Sequence, residues 1–379
     1  MLGTLSVACS SSDSDGGSSG SGGTAAAAGG AAAGGTAAGA GGAVASAGGE
    51  TSSGGLPQNA SGGAPDTASG GTPDAGSGGQ SETGGQASGG AASGGAASGG
   101  AGSGGFTGTC TASTRVNRNV SGTGPHQVIV ETNSDPGIRE GTIFRPADLG
   151  EGERYPIFVW GQGGCSRDGF AAEAAMAQIA SHGYFVIADG DPQGNQPNRQ
   201  LGGGGDVLLR YVDWIQEEND KPCSAYYQAI DTEKVAANGF SCGGLMAAGT
   251  AADPRMTTWG HTSSGSFSVD QNFYNSIHTP VLIITGTADS LGANENGQRD
   301  YDNISKRSEI PIMMFAKIGA DHGGDLWAQN GGHFTRISLA WLNWWLKGDM
   351  TATGKGMLVG GSCPYCTDNT WIVSSANLP

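Results

Sequence analysis

Residues 106–379 are predicted to fold as one α/β domain, a mostly parallel central sheet with helices on both faces. Three observations carry that prediction. Short apolar runs of strand length recur along this part of the chain, bounded by Gly, Pro or Asp. Segments with helical spacing of apolar residues lie between them. Ser241 sits where one such run meets one such helix, with glycines at 239 and 243.

The elements follow in chain order. Gln127 to Thr132 and Gly141 to Arg145 are expected as opening antiparallel strands around the turn Asp135-Pro136-Gly137. Tyr155 to Trp160 is a continuous apolar run ending in Gly161-Gln162-Gly163-Gly164, a central strand and a tight loop. An alanine-rich helix is predicted over 169–181, a strand over 184–188, and an amphipathic helix over 206–218. Lys234 to Asn238 reads as a buried strand, and Leu245 to Ala252 as a tightly packed helix. Further strands are expected at 256–262 and 280–285, with 311–316 as the last. A helix over 335–347 closes the domain, its three tryptophans forming a buried face.

The first 105 residues differ in kind. They hold 35 of the 72 glycines, no aromatic residue and no Lys or Arg. Such composition buries too little apolar surface to offset chain entropy, so 10–105 is expected to be a disordered Gly/Ala/Ser-rich tether. A coil of this kind spans roughly 55 Å. Residues 1–9 read as the remnant of a lipoprotein or secretion signal, with small residues before Cys9 and a Ser/Asp run after it. Cys9 is thus the expected lipidation site, and the expected location is extracytoplasmic, lipid-anchored at a bacterial cell surface or secreted.

The net charge is −16, from 34 acidic and 18 basic residues. An acidic balance without a basic patch argues against nucleic acid and against binding to anionic lipid, so any membrane contact runs through Cys9. A monomer is expected. Six further cysteines, at 110, 165, 223, 242, 363 and 366, favour disulfides in an exported protein. Cys363-Pro364-Tyr365-Cys366 reads as a structural disulfide, since two further zinc ligands cannot be nominated. Cys242 has two candidate partners, Cys165 and Cys223.

A serine between a strand and a helix, with glycine two residues away on each side, describes a nucleophile elbow. Its hydroxyl needs a base within reach and a carboxylate to orient that base, in the chain order Ser, Asp, His. Asp289 follows one predicted strand and His322 the next. His333 competes as base; Asp321 and Asp325 compete as the acid. Acyl transfer also needs donors for a developing oxyanion. The Cys242 amide is one candidate, and the second comes from Gln162 or Gly163.

From Tyr155 to Lys347 the chain resembles α/β-hydrolases of the cutinase, polyester-hydrolase and dienelactone-hydrolase type. The matching pieces are 156–164, 180–187, 239–244, 280–289 and 319–322. The resemblance implies a serine esterase working through an acyl-enzyme, with nucleophile Ser241, acid Asp289, base His322 and oxyanion amides at Gln162 and Cys242. It implies no metal and no organic cofactor. The implied substrate is an ester, with carbohydrate esters, lipids and polyesters all open. Cutinase-like enzymes usually carry an aromatic clamp where this chain has Gln162, a departure that bears on polyester preference. A peptidase with the same triad and an inert surface binding or adhesion protein are the alternatives.

Overall fold

The computed structural model describes residues 109–150 and 152–379. The expectations for the signal remnant at 1–9, for Cys9 and for the tether at 10–105 fall outside the described residues.

Strands β1 (Ser113–Arg115), β2 (Val128–Asn133) and β3 (Gly141–Pro146) pair antiparallel in succession. β4 (Tyr155–Gly161) lies between β5 (Phe185–Asp189) and β6 (Ile230–Gly239), parallel to both, while β3 pairs antiparallel with β5. The parallel run continues through β7 (Met256–Thr262), β8 (Val281–Gly286) and β9 (Ile312–Lys317). β10 (Trp371–Ala376) closes the far edge antiparallel to β9. The ten strands form one sheet in the order β1-β2-β3-β5-β4-β6-β7-β8-β9-β10. This is the α/β-hydrolase type of sheet expected from the sequence, and its central strands are buried along their whole length.

Side-chain alternation divides the core. Ile157, Val159, Phe185 and Ile187 face α2 (Gly205–Asp220), α3 (Cys242–Ala248), α4 (Gln271–Ser276) and α5 (Ala293–Ile304). Phe158, Trp160, Val186 and Ala188 face α1 (Glu173–Ser181) and α6 (Gly332–Lys347). Period-two alternation between two helical layers is why these strands read as unbroken apolar runs. Trp341 and Trp344 of α6 are buried, as the sequence predicts, but Trp345 is only half-buried and packs against that cluster from outside.

Some boundaries differ. The helix expected from 169 starts at Glu173, because the Asp168 carboxylate accepts from the Phe170 amide and holds a turn there. α3 begins at Cys242 and ends at Ala248, a turn earlier than predicted, because its first turn is the elbow itself. The strand at 311–316 is not the last. β10 follows it, after α7 (Lys355–Leu358) and α8 (Pro364–Thr367).

All six described cysteines are paired: Cys110–Cys223, Cys165–Cys242 and Cys363–Cys366. Cys242 therefore joins Cys165 and not Cys223.

Candidate active site

The carboxyl ends of β4 to β9 share one edge, and the loops leaving them bring the candidate residues together. A ligand crevice is expected where consecutive crossovers leave on opposite faces. Here that point is β4, whose neighbours β5 and β6 are reached through α1 on one face and α2 on the other.

At the end of β6 the chain reverses over Phe240 and Ser241. Ser241 has φ 54° and ψ −119°, a conformation that non-glycine residues rarely adopt. The glycines around it are needed for close approach. A Cβ on Gly239 would lie 2.1 Å from the Gly243 carbonyl oxygen, and one on Gly243 2.0 Å from the Gly161 carbonyl oxygen. The turn is held by Phe240 N donating to Gly161 O (3.1 Å) and Ser241 N donating to Thr262 O (2.9 Å). Ser241 is half-buried at the mouth of the edge.

Asp289 and His322 meet across the next two loops. His322 Nδ1 lies 2.8 Å from Asp289 Oδ2, and the Asp289 side chain is fully buried while 19% of the His322 side chain is exposed. The other Asp289 oxygen accepts from the Leu291 amide at 3.0 Å. With Nδ1 engaged, Nε2 is the nitrogen left for proton exchange. The imidazole packs on Phe240, the residue before Ser241, with ring centroids 4.8 Å apart. Ser241 Oγ has no hydrogen-bond partner among the described residues, and contacts between a serine and its base often tighten only when substrate binds.

The competitors do other work. Asp325 accepts from the amides of His333 and Phe334 and so caps α6, while His333 Nδ1 faces the Tyr365 hydroxyl at 3.3 Å. Asp321 accepts from the backbone amides of His322 (2.7 Å) and Ser290 (3.2 Å). Those two bonds hold its carboxyl below the usual carboxylate range. It ties the His322 loop to the Asp289 loop without touching the ring.

The loop after β4 completes the arrangement. Gly161 and Gly239 are ladder partners, so Gln162 lies beside the elbow. The backbone nitrogens of Gln162 and Cys242 donate to no protein group among the described residues. Free N–H groups at buried residues on either side of Gly243 are what an oxyanion site needs. The Gln162 side chain itself is buried and turned inward, its Oε1 accepting from Trp160 Nε1 at 3.0 Å. It occupies no clamp position. Gly163 packs against the Phe240 ring, where a Cβ would come within 2.2 Å.

Sequence reasoning missed Ser263 and Ser264 at the end of β7. Ser264 Oγ donates to the Ser241 carbonyl (2.7 Å), and Ser263 Oγ accepts from the Gly323 amide (3.0 Å). This pair bolts the elbow to the His322 loop; its only sequence signal is a small polar run directly after a strand. Trp327 was also missed: it stands exposed over Phe240 with its indole N–H on the Ala171 carbonyl. A cavity of about 460 Å³ opens elsewhere, between α1 and α6, and none of Ser241, Asp289 and His322 lines it. No group of three or more His, Cys, Asp or Glu suited to a metal occurs among the described residues.

Residues 111–354 match the family model described as PETase, PET hydrolase-like. No curated protein matches the chain.

Proposed function

The chain belongs to the PET hydrolase-like family, hydrolases that act on esters, and from that premise we propose that it is a serine esterase working through an acyl-enzyme. Ser241 is the nucleophile, His322 the base, and Asp289 the carboxylate that fixes the imidazole tautomer. One observation carries this reading: the 2.8 Å bond from His322 Nδ1 to buried Asp289, at the strand edge where Ser241 takes a positive φ.

In acylation, Nε2 of His322 takes the Ser241 proton as Oγ attacks the ester carbonyl. The carbonyl oxygen becomes an alkoxide facing the amides of Gln162 and Cys242, each worth about 3 kcal/mol in such sites. His322 then protonates the departing alcohol. Water repeats the sequence on the acyl-enzyme, giving up its proton to His322 and releasing the acid.

A bulky apolar ester, polyesters included, is the proposed substrate class. Leu201, Phe267, Val269, Leu291 and Trp327 are exposed, and all lie on loops leaving the carboxyl ends of parallel strands. Exposed apolar groups gathered on one edge mark a contact surface. Action outside the cytoplasm is supported by the three disulfides.

Fluorophosphonate labelling with mapping of the adduct tests the nucleophile. Labelling at Ser241, lost in Ser241→Ala together with hydrolysis of p-nitrophenyl esters, is the expected result. Unlabelled, inactive wild-type protein points to a binding module. Faster cleavage of peptide amides than of esters points to a peptidase.

A further inference from the structure

We infer that the Cys165–Cys242 disulfide is a positioning element of the oxyanion site, and not only a stabilising crosslink; this rests on the serine-esterase reading. The two candidate donors come from different elements. Gln162 caps the single 3₁₀ turn Gly163–Cys165, and Cys242 is the first residue of α3. The disulfide joins the last residue of that turn to the residue bearing the second amide, with Cα atoms 5.1 Å apart.

Apart from the packing of Gly163 on Phe240 and of Gly243 on Gly161, little holds the turn to the elbow. Phe240 N donates to Gly161 O, but no hydrogen bond runs from the 162–165 backbone to the elbow or α3 among the described residues. On its other side the turn is held by loop 190–204. Arg199 N donates to Cys165 O (2.7 Å), and Asn198 Nδ2 donates to Gly164 O (3.2 Å). Three glycines in the loop, at 161, 163 and 164, leave its backbone permissive. Cys165 itself has φ 53°, a strained conformation for a residue with a Cβ. Without the crosslink the turn can relax away from α3, taking the Gln162 amide with it. An oxyanion donor is useful only at hydrogen-bond distance from the alkoxide, so a shift of about 1 Å costs heavily.

The contrast with Cys110–Cys223 makes this testable. That bond joins the start of the described chain to the loop before β6, far in sequence from any candidate site residue, and closes 113 positions against 77. Both pairs should stabilise the fold, but only one should affect the transition state.

The test compares Cys165→Ala/Cys242→Ala with Cys110→Ala/Cys223→Ala in the full chain, on p-nitrophenyl butyrate, at a temperature where both are folded by circular dichroism. Tm should fall in both. For the 165/242 pair, kcat should fall about tenfold or more, with KM within about threefold and fluorophosphonate labelling slowed in parallel. For the 110/223 pair kcat should be unchanged. If the alanine pair does not fold, Cys165→Ser/Cys242→Ser keeps the shape of the thiols and is measured the same way. Wild-type kcat in a folded 165/242 variant overturns the inference, as does an equal loss in both variants. Ser241→Ala separates the two levels. If it is inactive while the 165/242 variant is fully active, only the positioning role fails; if it retains activity, the esterase reading fails first.

Discussion

Asp289 and Asp300 each stand against a histidine, 2.8 Å from Nδ1 of His322 in one case and 3.3 Å from Nε2 of His261 in the other. His322 is on a loop beyond β9, and His261 lies within β7. The His261 and Asp300 side chains are 1% and 2% exposed, whereas His322 keeps 19% and an unengaged Nε2 at the rim. Each Asp300 oxygen has a donor: the Tyr274 hydroxyl at 2.8 Å and the Ser266 amide at 3.0 Å. His261 Nε2 faces Asp300 Oδ2 without the alignment of a hydrogen bond. The pair pins the loop after β7 onto α4 and α5. One chemical couple thus serves two purposes, and access to the second ring nitrogen separates them.

The sharpest way to break the comparison is to remove each imidazole. His322→Ala should lower kcat/KM by about four orders of magnitude or more, with Tm nearly unchanged. His261→Leu should keep kcat within about threefold, because His261 reaches no candidate reacting atom. A reversal of the two results on p-nitrophenyl esters would relocate the site. Asp289→Asn comes next: loss of the tautomer-fixing acceptor should cost about 10³- to 10⁴-fold in kcat. Asp300→Asn should leave kcat near wild type, read in the same assay.

Much of the fold was legible in the chain itself. Ser241, Asp289 and His322 could be named as candidates because strand ends and glycine spacing leave local marks, and Gly239 and Gly243 are where a Cβ would strike backbone. The positions of β2 to β9 along the chain were readable for the same reason, since buried parallel strands need apolar runs, whereas their order in the sheet was not. Other features depend on partners distant in sequence. Ser263 meets Gly323 across 60 positions, and nothing in Thr262-Ser263-Ser264-Gly265 announces that contact. Cys242 had two possible partners until the β4 loop and the elbow were seen side by side. α5 was missed because Ala293 to Ile304 is mostly Asn, Asp, Glu and Gln, with few apolar residues to mark a buried face. β10 was missed because it is an edge strand on which only Trp371 is buried, held in place by pairing with β9.

The buried pair makes a prediction in stability rather than rate. His261→Leu removes a partner of a buried carboxylate and should cost about 3 kcal/mol at neutral pH, read from urea unfolding. The cost should depend on pH. Burial by itself would raise the Asp300 pKa, but the contacts from His261 and Ser266 outweigh it and the net shift is downward. A depressed folded-state pKa gives stability that is full above the unfolded value, about 3.9, and lost as pH falls through the folded value. In His261→Leu the burial effect is less opposed, so that acid loss shrinks. The gap between wild type and variant should therefore be widest near pH 7 and narrow below about pH 4. A constant gap would mean that His261 acts through packing alone.

Asp321 offers the smallest and most selective effect. It touches neither reacting atoms nor the imidazole ring, yet its carboxylate receives the His322 and Ser290 amides and so sets the spacing between the base loop and the acid loop. The same two bonds lower its pKa. Asp321→Ala should lower kcat by about three- to tenfold through looser placement of His322. KM for a short ester should be unchanged, since the exposed apolar rim is untouched. Asp321→Asn keeps an acceptor oxygen and should recover most of the rate. Loss of rate equal to that of Asp289→Asn would mean that Asp321, and not Asp289, supports the base.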